Sequence, residues 1–205
     1  MKIAESFIED ILKECYLKEF QDIYDKSYLL QYLDKKMKAV HGNTKTRRNL
    51  ASIYAIYAIL YFYKSDFYGD KEKYRRFEGY DYMRLLNFYK GLYGGSKLQN
   101  HALNSRVNGE FKNKFKDVIN NLIIINNGKY LIHIDYLYVN EYDISKVVCK
   151  IVEKYIELLM KKDHTLINTL DELRKLTDHK KKKKSMPFLQ KMLKRGFLKL
   201  LAMQF

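Results

Sequence analysis

The sequence predicts a mainly α (α+β) fold, a helical domain carrying a winged-helix-like unit of one helix plus a β-hairpin. Three observations predict it. Apolar residues recur at helical spacing through much of the chain. The stretch Asn49–Tyr63 is apolar almost all round, as the central helix of a helical domain would be. Asn127-Gly128 stands between two β-branched runs, a strong short-range hairpin signal.

Taken in order, residues 3–38 read as two amphipathic helices. Ile3, Phe7, Ile8, Ile11 and Leu12 mark the first, and Tyr28, Leu29, Tyr32 and Leu33 the second. Residues 41–48 are a polar linker into the apolar helix at about 49–63. A charged connection over 64–79 leads to a helix at about 80–90, stopped by Gly91, Gly94 and Gly95. Ser96 is then a natural N-cap for a further helix. On that helix Leu103, Val107, Phe111 and Phe115 form one apolar stripe. His101, Ser105, Asn108 and Lys112 fall opposite it with Arg106 beside them, while Asn100 and Asn104 flank it. A strand, turn and strand follow over 122–134. Asp143 caps a helix at about 144–160, and a weaker helix lies at about 165–176. Helices, a polar-faced helix and then a hairpin is the order of a winged-helix module, in which the helix enters a groove and the hairpin is the wing.

Composition narrows the function classes. The 205 residues include 47% hydrophobic and 15% aromatic side chains and one proline, which excludes a disordered or low-complexity chain. Cys15 and Cys149, far apart, exclude a disulfide framework and a cysteine-based zinc site. The apolar run Leu50–Phe62 is interrupted by Ser52 and falls short of the ~20 residues a membrane span needs. Acids inside the N-terminal apolar run argue against a signal peptide. A cytoplasmic protein without a membrane partner is expected.

The formal charge of +15 is segregated. Residues 41–120 carry 15 basic and 7 acidic groups, and residues 179–205 carry nine basic and none acidic. Residues 1–40 and 121–178 are nearly balanced. AT-rich coding would explain the 19 tyrosines but not this segregation. A basic block of this kind suits a polyanion, since clustered Lys and Arg release counterions from phosphates. His101, Ser105, Asn108 and Arg106 are side-chain types that read base edges. Lys45, Arg47, Arg48, Arg75, Arg76, Lys97 and Lys112 are candidate phosphate contacts, each also explicable as a solvated surface charge. The expected partner is double-stranded DNA, with a homodimer allowed. An RNA-binding module that stacks bases on tyrosine is an alternative. No nucleophile motif, phosphate loop or histidine ligand spacing is present. Glu110-Phe111-Lys112 is the nearest approach to a metal-nuclease Glu-x-Lys, but it falls on a predicted helix.

At Arg47-Arg48-Asn49-Leu50 through Tyr57, and above all at Gly95-Ser96-Lys97-Leu98-Gln99-Asn100-His101-Ala102-Leu103-Asn104-Ser105-Arg106-Val107-Asn108, the chain resembles the N-terminal part of bacterial type II restriction endonucleases. The similarity covers about residues 40–160. It implies a sequence-specific DNA cleaver that uses Mg²⁺ and whose N-terminal portion helps recognise DNA, as one half of a restriction-modification system. It also implies a nuclease motif further along than this chain extends. No cofactor is therefore expected here, although a complete family member would use Mg²⁺. The alternative is a winged-helix regulator that binds DNA without cutting it.

Residues 1–178 are accordingly read as a DNA-recognition domain and residues 179–205 as a basic tail. Lys180–Lys184 would be encoded by a run of adenines, where reading frames slip, and the 21 residues after it contain no acid. Back-translation in another frame restores acids and an amphipathic helix. The favoured expectation is a frame-shifted truncation. A genuine basic tail for DNA or a membrane surface is the alternative.

Overall fold

The computed structural model describes residues 20–41, 46–98 and 105–181. As predicted, the fold is mainly helical with a small antiparallel sheet. The chain divides into two compact units between Leu158 and Leu159.

The first unit is built around one helix. Helices α1 (Phe20–Lys26) and α2 (Tyr28–His41) lead to α3 (Thr46–Asp66), in which every residue from Asn49 to Leu60 is buried. Such a helix needs neighbours on all sides. α2 covers it with Leu29, Leu30, Leu33 and Met37, each at most 1% exposed, and α5 (Tyr82–Gly91) with Leu85, Leu86 and Tyr89. α3 begins three residues before the predicted start. Arg47 and Arg48 therefore stand on its first turn and not in a linker.

The charged connection contains a short helix, α4 (Lys71–Arg75), which Asp70 caps by accepting from the Lys73 amide at 3.0 Å. Next come strand β1 (Tyr80–Asp81), α5, and a 3₁₀ turn at Gly95–Lys97. The helix predicted to start at the Ser96 cap is corrected here. Gly94 takes the left-handed conformation (φ 70°), and Leu98 is extended (φ −83°, ψ 144°). A Cβ on Gly95 would lie 2.0 Å from the Tyr89 carbonyl oxygen, so the turn closes on the end of α5 where only glycine fits. The polar-faced helix, α6, runs over Ser105–Lys114. Leu103, Asn100, His101 and Asn104 lie outside the described residues, as does the first predicted helix.

The hairpin has the predicted turn. β2 (Ile123–Asn126) pairs antiparallel with β3 (Lys129–Ile132), and Asn127 (φ 48°) and Gly128 (φ 75°) both take positive φ, as a type I′ turn demands. β1 joins on the other side, Tyr80 opposite Tyr130, giving the order β1-β3-β2. The succession α3, β1, α5, α6, β2, β3 thus closes into a winged-helix-like unit. His133, directly after β3, caps a 3₁₀ turn at Ile134–Tyr136, its Nδ1 accepting from the Asp135 amide at 3.3 Å. A second hairpin, β4 (Tyr138–Val139) with β5 (Tyr142–Asp143), follows.

Asp143 accepts from the Tyr63 hydroxyl (2.8 Å), the Gly69 amide (2.9 Å) and the Ser145 amide (2.9 Å), tying α3, the loop after it and the last helix together. That helix, α7 (Ser145–Lys181), replaces the two predicted helices by one of 37 residues. Nothing between residues 160 and 165 stops it: Lys161, Lys162, Asp163 and His164 include neither glycine nor proline. Val148, Cys149, Ile151, Val152 and Tyr155 face the core of the first unit. In the second unit, Met160 (39%) and Ile167 (53%) are exposed. No described helix is long and apolar enough to cross a membrane.

Candidate nucleic-acid interface

α6 is held by three groups of contacts. Val107, Phe111 and Phe115 enter the core as the sequence stripe requires. Along α2, Tyr32 meets Phe111 edge to face (5.5 Å), Tyr28 meets Phe115 (4.8 Å), and the Lys114 ammonium donates to the Gln31 carbonyl at 2.7 Å. The third contact corrects the sequence reading. Asn108 does not lie on an outward polar face. It is 7% exposed, accepts from the Ile123 amide at 2.8 Å and donates to the Ile123 carbonyl at 2.7 Å. Its amide acts as a substitute strand partner at the start of β2, which removes Asn108 from the set of base-reading candidates. The outward stripe of α6 is then Gly109, Lys112 and Asn113, all exposed.

Between α2, α3 and α6 lies a cluster of charges. Glu110 accepts from Lys36, from Arg48 (Nε at 2.7 Å) and from the Tyr32 hydroxyl at 3.4 Å. Lys36 also donates to the Asn49 side-chain oxygen at 3.1 Å and is 7% exposed. Desolvation pushes the Glu110 carboxyl upward, but the hydrogen bonds and charges of Lys36 and Arg48 outweigh it and hold it below the usual carboxylate value. Burial lowers the Lys36 ammonium by more than Glu110 raises it. The same burial, with Glu110 beside it, raises the Tyr32 phenol, which stays a neutral donor. Arg106, one turn before Glu110, is close enough to Tyr32 to act against that rise.

The basic residues singled out in the sequence fall into two groups. Arg47 and Arg48 open α3, and Arg48 reaches α6 through Glu110. Lys97 is exposed on the 3₁₀ turn. Its loop is fixed to the N-terminal half of α3 by the Tyr54 hydroxyl, which donates to the Tyr93 carbonyl at 2.7 Å. Arg47 and Arg48 thus stand at the start of α3, Arg106 and Lys112 on α6 and Lys97 on the loop fixed to α3, with Arg48 bridging α3 to α6 through Glu110. Arg75 is not in this group, being ion-paired to Glu72 within α4. Lys45, Asn100, His101, Asn104 and the side chain of Ser105 lie outside the described residues. Lys36 was missed in the sequence, although its position carries a signal. It interrupts the apolar stripe Leu29, Tyr32, Leu33, Met37, Val40, where a lysine needs a buried partner.

Among the described residues no group of three or more His, Cys, Asp or Glu side chains converges as a metal site would. The chemistry of the cluster is cationic: Lys36 and Arg48 share a single carboxylate, Glu110, and Arg106 lies near the Tyr32 phenol beside it. No protein-family model, curated protein or solved structure matches the chain.

Proposed function

We propose that the chain binds double-stranded DNA through α6, the hairpin and the start of α3, as the DNA-recognising portion of a type II restriction endonuclease. The observation that carries this reading is the meeting of Lys36 of α2 and Arg48 of α3 on Glu110 of α6, next to the exposed stripe of that helix, which also bears Arg106 and Lys112. Arg47 and Arg48 stand at the positive end of the α3 helix dipole, which disfavours cations. Glu110 offsets this for Arg48, and a phosphate backbone would favour both. The winged-helix-like order supports the assignment of α6 to a groove and of the turn at Asn127-Gly128 to a wing. The resemblance over residues 40–160 supports the restriction family.

A winged-helix regulator without catalysis is the second reading. The ion pairs of Glu110 favour it, since Lys36 and Arg48 occupy the carboxylate that a Glu-x-Lys nuclease motif would give to a metal.

The test is a duplex titration over a range of salt. Affinity should fall steeply with salt, with Arg47→Ala weakening all sequences alike and flattening the slope by about one counterion. Lys112→Ala, on the exposed stripe, should do the same. Salt-independent binding, or none at low salt, sinks the DNA reading. Site-specific cutting with Mg²⁺ that is lost on Glu110→Ala would reject the regulator and restore Glu110 as a metal ligand.

A further inference from the structure

Glu110 is engaged by Lys36 and Arg48, while Arg106 is left with a different problem. Its Nε and Nη2 atoms are both buried, and neither has a hydrogen-bond acceptor among the described residues. These two atoms form one edge of the guanidinium plane, the edge that grips two oxygens of a phosphate or carboxylate in a bidentate pair. A buried cationic donor without an acceptor is strongly destabilising, so the arrangement calls for an oxygen ligand. The surroundings specify its charge. Lys36 and Arg48 share one carboxylate, Glu110; Arg106 lies near the Tyr32 phenol that donates to that carboxylate, and burial holds the phenol neutral. Arg106 also stands in the first turn of α6, where the helix dipole favours an anion.

We propose that Arg106 holds a phosphate, the Nε/Nη2 edge of its guanidinium taking two oxygens of one phosphate group near the Tyr32, Glu110, Lys36 and Arg48 cluster. Lys36, Arg48 and Arg106 exceed the one negative charge of Glu110, so the residual charge is positive: a phosphodiester with its single charge lowers it, and a phosphate dianion balances it. The phosphate could come from either of two sources. One is a backbone phosphate of duplex DNA, which rests on the reading above. The other is a free phosphate, inorganic or on a nucleotide, which does not.

The experiment uses the full chain and inorganic phosphate, with sodium chloride at matched ionic strength as the reference, and reads the unfolding midpoint. Phosphate should raise the midpoint by about 3–6 °C for each tenfold increase above its dissociation constant, and chloride should not. Arg106→Met, which keeps the stem and removes the fork, should abolish the phosphate-specific shift. Arg106→Lys, which keeps the charge without the fork, should lose most of it. A merely structural Arg106 would lower the baseline and leave the phosphate shift intact, which overturns the proposal. A wild-type midpoint that rises no more in phosphate than in chloride overturns it as well.

A second arm titrates a short duplex into the same three proteins at low salt. Loss of roughly tenfold in duplex affinity on Arg106→Met, together with the lost phosphate shift, assigns the site to a backbone phosphate. Unchanged duplex affinity with a lost phosphate shift assigns it to a free phosphate. A phosphate shift without duplex binding by any of the three supports the site and rejects the DNA reading. Duplex binding without a phosphate shift rejects the site and leaves the DNA reading standing.

Discussion

Replacing Asn108 by alanine separates a structural role from a recognition role. The side chain satisfies both the amide and the carbonyl of Ile123, at 2.8 and 2.7 Å, and Ile123 is fully buried. Alanine leaves two peptide groups without partners, each costing about 1–3 kcal/mol. With some relaxation at the start of β2, a loss of about 3 kcal/mol is expected, readable as a lower urea midpoint at unchanged slope. Asn108→Asp refines the test. A carboxylate still accepts from the Ile123 amide but opposes its carbonyl, so the folded state raises the pKa of the introduced carboxyl. The variant should be least impaired in acid, where the carboxyl is protonated and can donate, and lose stability as pH rises through its folded-state pKa. An Asn108→Ala protein within about 0.5 kcal/mol of wild type would refute the clamp. If that protein also failed to discriminate one base pair in its target, Asn108 would be a base reader after all.

Three further outcomes follow from the same geometry. Gly109 is exposed in the middle of α6 and a Cβ there would meet nothing within 4 Å, so Gly109→Ala should stabilise the protein by about 0.5–1 kcal/mol in a thermal melt. Glu110→Gln should cost about 2–4 kcal/mol, less than a fully buried pair because Arg48 is 42% exposed. Since the folded state depresses the Glu110 pKa, wild type should lose that contribution as pH falls through the folded value, and the glutamine variant should not. Burial pushes the Cys149 thiol up to about 12, so in a Cys15→Ser background a thiol reagent at neutral pH should label Cys149 only as fast as the protein unfolds.

What the sequence made legible were features decided locally. The all-round apolar character of 49–63 could only mean burial, and Asn127-Gly128 could only close a two-residue turn. α4 was missed because five residues carry too little periodicity, though Asp70 and Glu72 were a readable cap and first-turn acid. The misplaced Asn108 shows the limit of a helical wheel. The wheel ranks α6 positions against one core, whereas the hairpin returns to cover a second side of the helix and α2 a third. The Ser96 cap failed for a steric reason, since the turn there is set by the fit of Gly95 against Tyr89. The clustering of Arg48 with Glu110 was invisible because 62 positions separate them and tertiary packing alone joins them.

The Asp143 hub bears on how the protein is made. The Tyr63 hydroxyl finds its acceptor 80 residues later in the chain. At ordinary elongation rates of roughly 5–20 residues per second, the ribosome delivers Asp143 about 4–16 s after Tyr63. Through that interval α3 has neither the Asp143 acceptor nor the apolar face of α7. A nascent chain stalled before Asp143 should therefore expose apolar surface and recruit chaperones, whereas one released beyond Tyr155 should close in a single cooperative step.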